Sequence, residues 1–196
     1  MPRTGVYPGS FNPPTTAHVA IAAAARDQFE LDQVVLATSA EVLGKHRVQR
    51  PIFAHRWQVL EAVAAEHDWL DAAVTDKRLV AEIAEGYDVV IMGADKWLQI
   101  HELQWYDDDP AVRDATLAQL PEVAVAPRPP LEVEPEVLLR LPDEVVDGVS
   151  STAARAGQTD LMAAPARVFA EATGAWIDPS RYEQFLVTEG LISPTT

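Results

Sequence analysis

Thr4-Gly5-Val6-Tyr7-Pro8-Gly9-Ser10-Phe11-Asn12-Pro13-Pro14-Thr15-Thr16-Ala17-His18 is the stretch that decides the fold. It passes from a short β-rich run (Thr4 to Tyr7) through a loop of Gly, Pro and Asn (Pro8 to Pro14) into an alanine-rich helix predicted from about Thr16 to Phe29. The same alternation continues along the chain. Gln33 to Thr38 reads as a second strand, Ile52 to Glu66 as a helix and Ala72 to Thr75 as a short strand. Arg78 to Glu85 reads as a short helix, Tyr87 to Met92 as a strand and Val123 to Ala126 as another. Short apolar strands alternating with longer helical segments predict an α/β fold on an open parallel sheet. Residues 98 to 118 read as helical or irregular surface structure, and Leu138 to Leu141 as a last edge strand. Helices are expected around Ala166 to Ala172 and Pro179 to Val187, so residues 1–196 read as one domain with a C-terminal helical segment from about 156.

Composition narrows the function classes. With 48% apolar and 23% charged residues, the chain can bury an ordinary core, and no run approaches the roughly 18 apolar residues a membrane span needs. The N-terminus has no signal-peptide pattern, so a cytoplasmic protein is expected. The absence of cysteine removes disulfides, thiolate metal sites and cysteine nucleophiles. A net charge of −15 argues against nucleic acid and anionic membranes as partners; a homo-oligomer is compatible with the sequence. Within this acidic chain, Lys45, Arg47, Arg50 and Arg56 fall close together, and no Asp or Glu lies between Glu41 and Glu61. That segment reads as a local anion site.

In an open parallel sheet, ligands bind at the carboxyl ends of the strands, where the loop after the first strand lies. Gly9 allows close backbone approach, the prolines stiffen the loop, and Thr15 or Thr16 can cap a helix whose free N–H groups suit an anion. His18 begins a stripe continued by Ile21, Ala22, Ala25 and Phe29, which places its ring on the sheet-facing side near the loop. A second cluster, Ser151-Thr152 followed by Arg155, has the hydroxyls and the guanidinium of a phosphate clamp. Asp107-Asp108-Asp109 reads as a solvated loop rather than a metal site, and no metal ligands are assigned. The patterns G-x-x-x-x-G-K-[ST], G-x-G-x-x-G after the first strand, H-E-x-x-H and G-x-S-x-G are all missing.

These segments resemble the nucleotidyltransferases with the T/H-x-G-H signature, closest to the nicotinate-nucleotide adenylyltransferases. Gly9, Phe11, Pro13, Thr15 and His18 match the loop G-x-F-x-P-x-H/T-x-G-H, with Asn12 for the commoner Asp and Ala17 for the usual Gly. Val149 to Arg155 is similar to the family's I-S-S-T-x-x-R, and Gly93-Ala94-Asp95 to the G-A-D of the nicotinate branch. The resemblance implies a Rossmann-like sheet with helices on both faces and transfer of AMP from ATP to a small phosphate-bearing acceptor, nicotinate mononucleotide first. It assigns ATP to Gly9, Ser10, Phe11, Thr15, His18, Gly93, Asp95, Ser151, Thr152 and Arg155, and the acceptor to Lys45, Arg56 and Trp105, with Trp97 second. His18, Lys45 and Arg155 are the implied catalytic residues, and Mg²⁺ is expected to arrive with ATP. Two alternatives stay open: a pantetheine-phosphate or other phosphoester acceptor, suggested by Tyr7 to Phe11, and a nucleotide-binding regulator without catalysis, suggested by Ala17.

Overall fold

In the computed structural model, which describes residues 1–39, 51–142, 145 and 151–193, five parallel strands form one sheet in the order β3-β2-β1-β4-β5. They are β1 (Thr4–Pro8), β2 (Gln33–Ser39), β3 (Leu70–Thr75), β4 (Val89–Gly93) and β5 (Glu122–Ala126). β1 lies between β2 and β4, in register Val6 with Val35 and with Val90. The chain first builds outward from β1 to β3, then returns to its other side, so the crevice beyond the ends of β1 and β4 is the topological switch point.

Alternation along each strand divides the core into two layers. Tyr7, Leu36, Val89, Ile91 and Ala124 face one side, where Ala22 and Ala25 of α1 (Thr16–Gln28) and Leu60 of α2 (Phe53–Ala64) cover them. Val6, Ala37, Val90, Met92 and Val125 face the other, beneath α3 (Val80–Ile83) and α4 (Ala94–Gln99). Leu36, Leu60 and Ile91 are fully buried, each contributing roughly 2 kcal/mol by removal from water. These two layers make the fold a Rossmann-like α/β sheet.

Later helices among the described residues are α5 (Pro110–Leu117), α6 (Ser151–Arg155), α7 (Ala164–Thr173) and α8 (Pro179–Thr188). α7 packs Ala166 and Ala170 against Val59 of α2, and the Tyr182 hydroxyl of α8 accepts the Ile52 N–H at 3.0 Å. Residues 98–118 resolve into the end of α4, a 3-10 turn at Leu103–Trp105 and α5. Asp109 of the acidic triplet caps α5, its carboxylate accepting the Ala111 N–H at 2.8 Å.

The expected edge strand at Leu138 to Leu141 does not form. Leu138 makes only an isolated bridge to Val125, and Leu139 N–H donates once, to the Val125 carbonyl at 2.8 Å. The next residue's backbone is taken by a side chain instead: Gln28, at the end of α1, accepts the Arg140 N–H and donates to its carbonyl, both at 2.9 Å. Pro142 then offers no donor, so the ladder cannot continue.

Candidate functional site

A cleft of about 740 Å³ opens at the carboxyl ends of β1, β4 and β5. Gly9, Ser10, Asn12, Thr15 and His18 line it from the loop after β1 and the start of α1, and Gly93, Asp95 and Lys96 from the start of α4. Arg128 lines it beyond β5, and Ser151, Thr152 and Arg155 from α6. Segments some 140 residues apart in the chain therefore share one wall-to-wall space, as the two-part reading of the sequence requires.

The loop is held by contacts the sequence only partly foretold. Gly9 makes room for a ring: a Cβ there would sit 2.8 Å from Phe11 Cζ. Phe11 is 2% exposed and takes a left-handed φ of 41°, which turns its ring down onto Gly9, edge-on to Tyr7 at 5.6 Å and to His18 at 5.1 Å. Its side chain belongs to the core, so only its backbone is available to a ligand. At Gly93 a Cβ would meet the Asp95 carboxylate at 2.7 Å, but that exposed side-chain end can swing aside.

His18 is fixed through one ring nitrogen. The Thr15 backbone N–H, which can only donate, points at Nδ1 from 2.9 Å, and the Thr15 hydroxyl lies 2.8 Å from the same atom. Nδ1 is therefore the acceptor and the neutral ring carries its proton on Nε2. Burial pushes the His18 pKa down to about 4, so the ring is neutral at pH 7. The site thus holds an uncharged donor whose Nε2 proton no described residue accepts, on a ring bordering the cleft.

Opposite, α6 grips the loop from the far side. Ser151 Oγ donates to the Pro13 carbonyl at 3.0 Å, Arg155 Nη1 donates to the Asn12 carbonyl, and Arg155 Nη2 donates to Thr152 Oγ1 at 3.1 Å. A guanidinium has five donors, so Arg155 keeps others for a ligand. Asp95, in the first turn of α4, pairs with Arg128 at 3.3 Å across an exposed edge of the cleft.

The acceptor residues are more dispersed. Arg56 is 4% exposed in α2 and does not line the cleft. Its guanidinium lies behind the loop, with Nη1 3.4 Å from the Ser10 carbonyl, Phe53 beneath it at 5.4 Å, and no partner on Nε. Burial lowers its pKa from the usual arginine range. Lys45, Arg47 and Arg50 lie outside the described residues, as do Val149 and Ser150. Trp105 is 40% exposed on a separate surface. It borders a groove with Arg78, Leu79 and Glu82, and an apolar hollow of about 170 Å³ with Ile100 and Leu117. Trp97 packs in the second core layer and donates its indole N–H to Glu134 at 3.2 Å.

Two charged residues of the cleft escaped the sequence reading. Lys96 borders both the main cleft and the Trp105 hollow, and Arg128 stands just after β5. Both immediately follow a strand's carboxyl end or its first helical residues, and that position was the available signal.

Over 89 residues the chain is 33% identical to a probable nicotinate-nucleotide adenylyltransferase of Albidiferax ferrireducens, a match taking in 45% of this chain. The matched stretch spans 43% of that relative's length. A family model described as cytidylyltransferase-like matches residues 6–157, from β1 to just past Arg155. By that match the chain belongs to the cytidylyltransferase-like family, within the nucleotidyltransferase superfamily.

Proposed function

We propose that the protein is an adenylyltransferase that joins AMP from ATP to the phosphate of nicotinate mononucleotide, forming the deamido dinucleotide of NAD biosynthesis. One observation carries the reading: His18 and Ser151-Thr152-Arg155, from opposite ends of the sheet-forming chain, border a single cleft. An oxygen of the acceptor phosphate attacks the α-phosphorus of ATP, the bond from that phosphorus to the bridging oxygen breaks, and pyrophosphate leaves. A phosphate is already ionised at neutral pH, so no general base is needed and the protein's work is alignment and charge stabilisation.

In this mechanism the backbone of Gly9 to Phe11 and the start of α1 face the triphosphate, and His18 Nε2–H donates to it. Arg155, with Ser151 and Thr152, closes on the β- and γ-phosphates. Gly93 and Asp95 stand beside the nucleoside. Arg56, buried without a carboxylate partner among the described residues, supplies positive potential behind Ser10, and Lys45 joins it at the acceptor phosphate. Magnesium enters as MgATP, held by phosphate and water; among the described residues no His, Cys, Asp and Glu cluster is placed to bind it alone.

The relative's name and the Gly93-Ala94-Asp95 segment favour nicotinate mononucleotide over other acceptors. Trp105 is assigned to the pyridine ring, with Lys96 spanning the interval between its hollow and the cleft. We read residues 1–196 as one such domain, acting in the cytoplasm; no described helix is long and apolar enough to cross a membrane.

The test is to incubate the protein with MgATP and, separately, nicotinate mononucleotide, nicotinamide mononucleotide and phosphopantetheine, and to measure pyrophosphate. Release with nicotinate mononucleotide well above the others is expected. Release only with phosphopantetheine replaces the acceptor, and ATP binding without pyrophosphate from any acceptor removes the enzyme reading.

A further inference from the structure

Residues Asn12, Pro13 and Pro14 sit at the tip of the loop, and every one of their carbonyls is engaged by the C-terminal part of the chain. Arg155 takes the Asn12 carbonyl, Ser151 the Pro13 carbonyl at 3.0 Å, and the Ala163 N–H the Pro14 carbonyl at 3.1 Å. Thr15 then bridges to Met162. The remaining polar group at the tip that a partner fixes is the Asn12 side chain, whose Oδ1 accepts the indole N–H of Trp176 at 2.5 Å.

Trp176 is held for this contact at a conformational cost. Its φ is 68°, a left-handed value that a bulky side chain rarely adopts. Gly174, with φ 81°, ends α7, Ala175 is fully buried, and the Trp176 ring packs edge-on against Phe169 at 6.1 Å. Backbone strain of this kind persists where the surroundings over-determine it and gathers at working parts of a molecule. The indole N–H can only donate, so the end of the Asn12 amide facing it must be the oxygen. Asn and Asp, the two residues named for this position in the family loop, share that oxygen.

We propose that Trp176 is a positioning residue for nucleotide binding: through Asn12 it fixes the loop that faces the triphosphate, and so gives the C-terminal helical segment a part in ATP affinity. The inference rests on the adenylyltransferase reading above. Asn12 lines the cleft, so an error in its placement is an error beside the phosphates rather than at a remote joint.

Full-length W176F, N12A and N12D proteins test this, each assayed for kcat, KM for ATP and KM for the acceptor. Calorimetry with ATP and with inorganic tripolyphosphate, and thermal unfolding, complete the comparison. W176F keeps an aromatic ring but loses the donor; N12A loses the acceptor. Both are expected to weaken ATP and tripolyphosphate about five- to tenfold, the value of one hydrogen bond, with the acceptor KM unchanged. N12D retains an oxygen for the indole and is expected to fall nearer wild type than N12A. Should W176F fail to fold, the order of N12A and N12D decides alone. The proposal is overturned if the variants bind tripolyphosphate as wild type does, if N12D is no better than N12A, or if both KM values rise together with a drop in thermal stability. Wild-type protein that binds neither ATP nor tripolyphosphate overturns the adenylyltransferase reading and this inference with it; wild type that binds both while the variants match it overturns this inference alone.

Discussion

The two ends of the cleft are built differently. At the triphosphate end, the loop after β1 and helix α6 are stitched to each other by main-chain carbonyls, and each cleft group is fixed by at least one neighbour: His18 by Thr15, Arg155 by Asn12 and Thr152. At the acceptor end the candidates stand at or outside the cleft's rim: Arg56 in α2 behind the loop, Trp105 on an exposed 3-10 turn, and Lys96 in α4, bordering both the cleft and the Trp105 hollow. Triphosphate is the same in every ATP, and a fold can meet it with backbone and a few rigid donors. An acceptor differs from enzyme to enzyme, and side chains at a rim can change without disturbing the sheet.

The sharpest way to break this contrast is His18→Ala. Loss of one preorganised donor to developing charge costs about 3 kcal/mol, so turnover measured by pyrophosphate release is expected to fall 10²- to 10³-fold. Thermal unfolding is measured alongside, because the substitution also removes the acceptor of the Thr15 N–H and the ring contact to Phe11. Near-normal turnover would remove His18 from the triphosphate and leave the two ends indistinguishable.

Trp105→Ala probes the other end with a smaller effect. Loss of a ring-stacking contact is worth roughly 1 kcal/mol beyond its area, so the KM for nicotinate mononucleotide is expected to rise about three- to tenfold while the KM for ATP holds. A matching rise in both would mean that the hollow and the cleft act as one site. No change in either would assign the pyridine ring elsewhere.

This difference also explains what the sequence made legible. The order of strands and helices and the loop from Gly9 to His18 could be read because short-range patterns dictate them: β-rich runs, turn residues, a helix start. Partners could not. That Gly9 serves the Phe11 ring, that Gln28 occupies the backbone of Arg140 where a sixth strand was expected, and that Trp176 reaches Asn12 all depend on residues far apart in sequence. Leu70 and Asp71 extend β3 beyond its expected start because pairing with Val34 and Val35 overrides the weak strand preference of an aspartate. Trp105 could be named as an aromatic after Gly93-Ala94-Asp95, but its distance from the cleft is a property of the turn that carries it.

The smallest expected effect is a flat line. Burial holds the folded-state pKa of His18 at about 4, below the ordinary 6.5, and the Thr15 N–H on Nδ1 opposes a proton there. From pH 8 to 6 the ring therefore stays neutral and its Nε2–H is unchanged, so kcat is expected to show no inflection near 6.5 from this residue. Stability follows with a definite sign. Below pH 6.5 the unfolded chain takes up a proton that the folded ring refuses, so stability is fully present above 6.5 and falls progressively as pH drops toward 4. His55, whose pKa burial also lowers, adds to the loss in the same direction. Imidazole NMR on wild type against His18→Gln isolates the one resonance concerned. A midpoint near 6.5 would show a wet, cationic ring, and the triphosphate end would then depend on charge rather than on the neutral, main-chain-anchored donor that sets it apart from the acceptor end.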